Sequence, residues 1–149
     1  VSFTTDFLTG VAQQLHDAGI GTYRPTTAYL TGETGIVFKD MPTAPDRVLV
    51  LNTYSPGADD NPDVPVSLIA LQVRVRGNPG QPLDPDGIRD QVYNLLHGLE
   101  HHTYGTCHAN QILHQSTIPN GKDDSKRWEV SINFYADVDL PPTLNRPAP

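Results

Sequence analysis

The chain has 149 residues, a net charge of −7 and a sequence pI near 5.1. That is the size of one ordinary domain, and its acidity makes it a poor candidate for nonspecific nucleic-acid binding, which needs phosphate neutralisation, though it leaves room for a small local basic patch. Cys107 is the only cysteine, so an intrachain disulfide is excluded, and no segment reaches the ~20 apolar residues of a membrane span.

The N-terminus shows no basic-then-apolar signal pattern, and the expectation is a soluble protein made in the cytoplasm. Residues 4–18 predict an amphipathic helix, because Phe7, Leu8, Val11, Leu15 and Ala18 fall on one stripe. Thr4 or Thr5 is the expected cap, Gly19 the left-handed stop, and Gly10 costs about 1 kcal/mol relative to alanine. Short strands are expected over 22–30 and 36–39. A firmer one covers 47–54, where Val48-Leu49-Val50-Leu51 is the continuous apolar run of a strand covered on both faces. The stretch 55–65, with Pro56, Gly57, Pro62 and Pro65, must be an exposed loop.

Residues 66–76 resume a strand, with Leu71, Val73 and Val75 alternating against Gln72, Arg74 and Arg76. Asp84 as cap and Pro85 as first helical residue open a second helix. Its stripe of Ile88, Val92, Leu95, Leu96 and Leu99 carries it to an end near 101–105. Segments 106–117 and 125–138 predict a terminal β-hairpin about the turn-rich run 118–125. In its second arm Trp128, Val130, Ile132, Phe134, Ala136 and Val138 share the core face; Glu129, Ser131, Asn133, Tyr135 and Asp137 share the other. The expected fold is α+β: a mainly antiparallel sheet with two helices packed on one face, a terminal β-hairpin and extended loops. Residues 1–138 read as a single domain, and 139–149 as a proline-rich C-terminal tail.

Candidate chemistry is sparse. His97-Gly98-Leu99-Glu100-His101 matches the H-x-x-E-H pattern of inverted zinc peptidases. It falls at the end of the expected helix, with His102 beside it, and no later helix supplies a glutamate ligand, so solvated helix-end imidazoles are the expectation. Cys107 and His108 are neighbours on a strand and point to opposite faces, which excludes a thiol dyad. Asp59, Asp60, Asn61 and Asp63, like Asp123 and Asp124, lack the spacing of a calcium loop. No phosphate-binding glycine loop or serine elbow occurs, and no catalytic residue, cofactor or metal is expected. Arg74 and Arg76 on one strand face, with Arg89, Lys122, Lys126 and Arg127 elsewhere, could form a basic patch, but they carry no interleaved aromatics for nucleic acid and better suit ion pairs between subunits.

The chain resembles the tail-terminator and minor capsid proteins of long-tailed bacteriophages, particularly those of actinobacteria. The likeness runs from Thr5-Asp6-Phe7-Leu8 to Val138. It is densest at Leu71-Gln72-Val73-Arg74-Val75-Arg76-Gly77, at Leu95-Leu96-His97-Gly98-Leu99, and from Ile118-Pro119-Asn120-Gly121-Lys122-Asp123 into Arg127-Trp128-Glu129-Val130-Ser131-Ile132-Asn133-Phe134. The resemblance implies a structural protein of the virion, located at the head-proximal end of the tail. It implies a ring of identical subunits, hexameric in the family, that caps the tail tube, ends its polymerisation and meets the head-tail connector. DNA would pass through without specific binding. Arg74, Arg76, Asp59, Asp60, Asp63, Lys122, Asp123, Asp124 and Arg127 are the expected assembly-interface residues. Another neck component, head-closure or tail-completion, is the alternative; a small zinc hydrolase built on H-x-x-E-H is a remoter one.

Overall fold

The computed structural model describes residues 2–57 and 59–146; Ala58 and the last three residues of the proline-rich tail lie outside the described residues. Two helices and seven strands follow in the order α1 (Phe3–Asp17), β1 (Thr22–Tyr23), β2 (Gly35–Phe38), β3 (Val48–Tyr54), β4 (Val66–Arg76), α2 (Asp84–Leu96), β5 (Leu99–Tyr104), β6 (Cys107–Lys122), β7 (Trp128–Asp139). All strands belong to one sheet ordered β1-β2-β3-β4-β7-β6-β5. The β1–β2 and β2–β3 pairs are parallel and the other four antiparallel. The α+β expectation, a mainly antiparallel sheet with both helices on one face, is what the chain adopts.

The apolar face is set by register. Leu49, Val75 and Val130 stand abreast across β3, β4 and β7; Leu51, Val73 and Ile132 form the next row, and Leu71 and Phe134 the next. Onto these rows α1 lays Phe7, Leu8, Val11, Ala12 and Leu15, and α2 lays Ile88, Val92 and Leu96, in one continuous core. Trp128 begins the same alternation but is only half-buried, with the Lys122 ammonium 5.4 Å from its ring centre. Phe134, not Trp128, is the large aromatic fully enclosed on β7.

Several sequence expectations need correction. Ser2, not Thr4 or Thr5, caps α1, accepting from Thr5 N at 3.1 Å; Gly19, at φ 75°, is the left-handed residue beyond the helix end. The strand expected over 22–30 stops at Tyr23, because Pro25 has no N–H and drives Arg24 out of register. Arg24 instead pairs with Glu33 at 2.8 Å. Asp84 is not the cap of α2: Leu83 holds that position, and the Asp84 carboxylate accepts from Arg47 Nε at 2.9 Å and Asn78 N at 2.7 Å. The helix ends at Leu96, where Gly98 (φ 81°) turns the chain into β5. The run 118–122, expected as turn, is strand, and the true connection is 123–127. The strand β7 includes Asp139, Leu140 packs against the core, and Leu140 N donates to Pro65 O at 2.7 Å.

Relative to β7, strand β6 carries an extra residue at three places, between Ala109 and Gln111, His114 and Ser116, and Pro119 and Gly121. Each such bulge bends its strand and deepens the local twist, which curls this side of the sheet.

Gly10 shows why a helix-interior glycine is retained. A Cβ there would lie 2.5 Å from Tyr104 Cδ1 and 2.8 Å from Tyr104 Cβ. Tyr104 is itself held edge-on against Phe7, with its hydroxyl donating to Gln14 Oε1 at 2.6 Å. Helix propensity alone would make Gly10→Ala stabilising. The expected outcome is the reverse: a loss of about 1–3 kcal/mol from overpacking, measured by urea denaturation.

The Arg47–Asp84 pair ties the entry of β3 to the start of α2. Hydrogen bonds from Arg47, opposed by partial burial, hold the Asp84 carboxyl below its ordinary value of 3.8. A depressed folded value means that the stabilisation is complete above 3.8 and disappears as pH falls through the lower folded value. Arg47→Met is therefore expected to be less stable than the parent at neutral pH, and the gap should close in acid. Denaturation midpoints at both pH values check this.

Candidate assembly surfaces

The face of the sheet opposite the helices is a ladder of satisfied polar groups. Asn52, Gln72, Asn133 and Ser116 form one row across β3, β4, β7 and β6. Gln72 Nε2 donates to Asn133 Oδ1 at 3.3 Å, and Asn133 Nδ2 donates to Ser116 Oγ at 3.2 Å. In the next row Ser131 Oγ donates to Asn120 Oδ1 at 2.7 Å. Ser131 and Asn133 are buried although no helix covers them among the described residues, because taller neighbours surround them. Around this floor the face turns apolar: Tyr54, Leu68, Leu113 and Ile118 stand exposed on it, with Tyr135 half-buried between them. The surface is a satisfied polar floor with an apolar rim, the reverse of the apolar centre and polar rim usual between proteins, and its exposed apolar side chains are what a partner would cover.

Sequence reasoning missed Leu68, Leu113 and Ile118. A signal existed for the first: carrying the alternation of β4 back from Arg76 and Arg74 puts Ala70, Leu68 and Val66 on the same side, so the polar face turns apolar toward its start. The bulges on β6 hide the equivalent phase for Leu113 and Ile118.

The expected interface residues divide between the two ends of the long strands. At the end where β4 stops and β7 begins lie Arg74, Arg76, Lys122, Asp123, Asp124 and Arg127. Arg74 Nε donates to Glu129 Oε1 at 2.6 Å and remains 44% exposed in its side chain. Arg76 is only 2% exposed and donates to the carbonyl oxygens of Asp46 at 2.8 Å and Pro45 at 2.7 Å. Burial, followed by repulsion from Arg127, pushes the Arg76 guanidinium below its ordinary value. Arg127 is also buried and bridges Asp123 Oδ2 at 2.9 Å, Asp46 Oδ1 at 3.2 Å and Thr43 O at 2.7 Å. Asp123 organises the turn as well, since Oδ1 accepts from Ser125 N and Arg127 N. Arg76, Asp123 and Arg127 thus clamp the segment 43–46 to the sheet, whereas Arg74, Lys122 and Asp124 face outward.

Asp59, Asp60 and Asp63 lie at the opposite end, roughly 30 Å away along β4 at ~3.3 Å per residue. Asp60 accepts from Ser67 Oγ, and Asn61 Oδ1 accepts from Asp63 N at 2.9 Å. The loop borders a groove of about 510 Å³ with Val64, Val66, Leu68 and Tyr135 in its wall.

The H-x-x-E-H residues do not share a helix face. His97 follows α2, stacks on Tyr93 at 4.7 Å and accepts from His114 N at 2.9 Å; Glu100 and His101 lie on β5, where His101 stacks on His108 at 5.8 Å. Among the described residues no set of three His, Cys, Asp or Glu side chains is placed to hold a metal ion. Cys107 is fully buried, and burial pushes its thiol up to about 11, which keeps it protonated and unreactive near neutral pH. Among the described residues no helix is long and apolar enough to cross a membrane.

Fold and surface together define a small α+β subunit that buries one sheet face under its own helices and leaves the other, polar-floored face open. The family model described as "Bacteriophage tail terminator protein" matches residues 14–140. Among solved structures, a chain from the "Virion of native gene transfer agent (GTA) particle" superposes with a TM-score of 0.67 at 14% identity, covering 93% of this chain and 98% of that one. No curated protein matches. The chain belongs to the bacteriophage tail terminator family and is a structural tail protein of the virion.

The two arginines of β4 differ in what they hold, and substitution should separate them. Arg76→Ala orphans buried carbonyls and is expected to cost about 1–3 kcal/mol. Arg74→Lys keeps a cation beside Glu129, whose side chain is only 8% exposed, and is expected to cost under about 1 kcal/mol. Chemical denaturation of both variants gives the comparison.

Proposed function

We propose that this chain assembles into a closed ring, sixfold in symmetry, that caps the tail tube at its head-proximal end and stops its polymerisation. The same ring joins the tail to the connector in the neck of the filled head. The family match over residues 14–140 carries this reading, because it spans the whole sheet, α2 and the last turn of α1, not one motif. Its role is mechanical and requires no bond-making chemistry by the chain.

A ring closes through heterologous contacts, in which one surface of a subunit meets a different surface of its neighbour. The open sheet face, with Leu68, Leu113, Tyr135 and Ile118 around satisfied polar groups, supports such a contact. The outward-facing charges suit specificity more than raw affinity: Arg74, Lys122 and Asp124 at one end, Asp59, Asp60 and Asp63 at the other. Arg76, Asp123 and Arg127 serve by fixing the shape of the first end. Two unlike ends also suit a cap with two unlike axial partners, the tube and the connector. A net charge of −7 favours passage of DNA without adhesion.

Imaging of particles made without this protein tests the proposal. Tubes of uncontrolled length, unattached to heads, are expected, and adding the protein back should restore one length and a ring at the tube end. Tubes of normal length that merely fail to join heads would instead make the chain a head-closure or tail-completion component.

A further inference from the structure

The segment after β7 has a feature that the fold does not use. Thr143 N donates to Arg146 O at 2.7 Å and Arg146 N to Thr143 O at 3.2 Å, which closes a tight turn with Leu144 and Asn145 at its tip. Thr143 Oγ1 accepts from Arg146 N at 3.0 Å, and the Arg146 guanidinium donates back to Pro141 O. Pro141 and Pro142 restrict the backbone leading into this turn. At its tip Leu144 is 101% exposed, so nothing among the described residues covers it. A leucine held outward on a turn whose entropy is already lost is built as an anchor.

The same end of the subunit carries the groove beside Asp59 and Asp60, walled by Val64, Val66, Leu68 and Tyr135. Val64, Val66 and Leu68 are each at least 40% exposed, so the wall is apolar and open. Its nearby charges are carboxylates: Asp59 and Asp60 on the loop, Asp137 and Asp139 on the adjoining strand. Arg146 is the only charged side chain in the segment 140–146, and its sign is opposite to that of the groove.

We infer that the Leu144–Arg146 turn of one copy docks in the groove of a neighbouring copy, Leu144 against Val64, Val66 and Leu68, and Arg146 toward Asp59 and Asp60. The contact is heterologous, tail to groove, and so passes from subunit to subunit in one direction around an assembly. It deepens the ring reading by naming the segment that links neighbours.

The test uses a labelled peptide of residues 139–146 and the full chain carrying Leu144→Asp, so that resident tails do not compete, with fluorescence anisotropy as the readout. Saturable binding is expected, weakened about tenfold or more by Leu144→Asp in the peptide, as loss of a buried leucine implies. Asp59→Lys with Asp60→Lys in the chain should weaken it similarly, and added salt should weaken it further. Partial rescue is expected when Arg146→Asp peptide meets the lysine-bearing chain. Absence of saturable binding, or binding indifferent to the groove substitutions, overturns the inference while the ring reading stands. If the peptide does not bind but the groove variant no longer caps tubes, the groove receives another tail component, and the inference again falls. Conversely, a peptide that binds as expected to a protein that forms no ring at tube ends removes the proposed function and leaves this contact.

Discussion

Strand β7 is the constraint on which both faces of the sheet depend. It is the last strand in the chain, yet it lies between β4 and β6, so neither half of the sheet is joined to the other without it. One side of its alternation, from Val130 to Val138, supplies the floor on which α1 and α2 bury their stripes. The other side, from Glu129 to Asp137, supplies the central column of the polar ladder. Pairing β7 with β4 joins residues separated by roughly sixty positions, a costly closure that is repaid only once both neighbours are in place. Both faces therefore require β7, and a chain truncated before it would lose the central column of each.

The open face is polar without leaving its polar groups unpaired. Buried polar groups on it are paired within the chain, and no buried side-chain donor or acceptor among the described residues lacks a partner. Removing that floor from water in an assembly consequently leaves few groups unsatisfied, while the apolar rim supplies the driving force. The half of β6 beyond β5 presents a sheet edge, and the edge is guarded: Pro119 has no N–H to offer, bulges interrupt its repeat, and Lys122 stands at its end. These are the usual devices against uncontrolled strand addition.

Much of this was legible in the residues. Period-two alternation located β4 to the residue and β7 almost so, because a strand with one buried face cannot tolerate a slip in phase. The continuous apolar run of β3 correctly signalled cover on both faces. Legibility failed where a tertiary partner outweighed a local preference. Asp84 has the ideal composition for a cap, but Arg47, distant in sequence, offers its carboxylate a stronger bond. Leu99 continues the stripe of α2 by coincidence of spacing, whereas Gly98, already visible, marks the stop. Arg74 and Arg76 are identical letters two apart on one face, and only the folded segment 43–46 decides that one is buried and the other exposed. For the same reason, sign and spacing alone nominated interface residues of two physical kinds, some facing solvent and some acting as internal clamps.

The segregation of charge between the two ends follows from strand direction. Basic residues close β4 at Arg74 and Arg76 and flank the start of β7 at Lys122, Lys126 and Arg127; carboxylates precede β4 at Asp59, Asp60 and Asp63 and close β7 at Asp137 and Asp139. Antiparallel pairing brings the end of one strand to the start of the other, so groups of like character from both strands gather at the same end. At the first end Asp123 and Asp46, paired with Arg127, and Glu129, paired with Arg74, neutralise much of the positive charge, whereas the second end remains acidic. In a ring that keeps these strands along its axis, every subunit would present the same end to the same side. Two chemically different rims then arise from one strand pairing, without an added domain, and each can select a different neighbour through electrostatic complementarity.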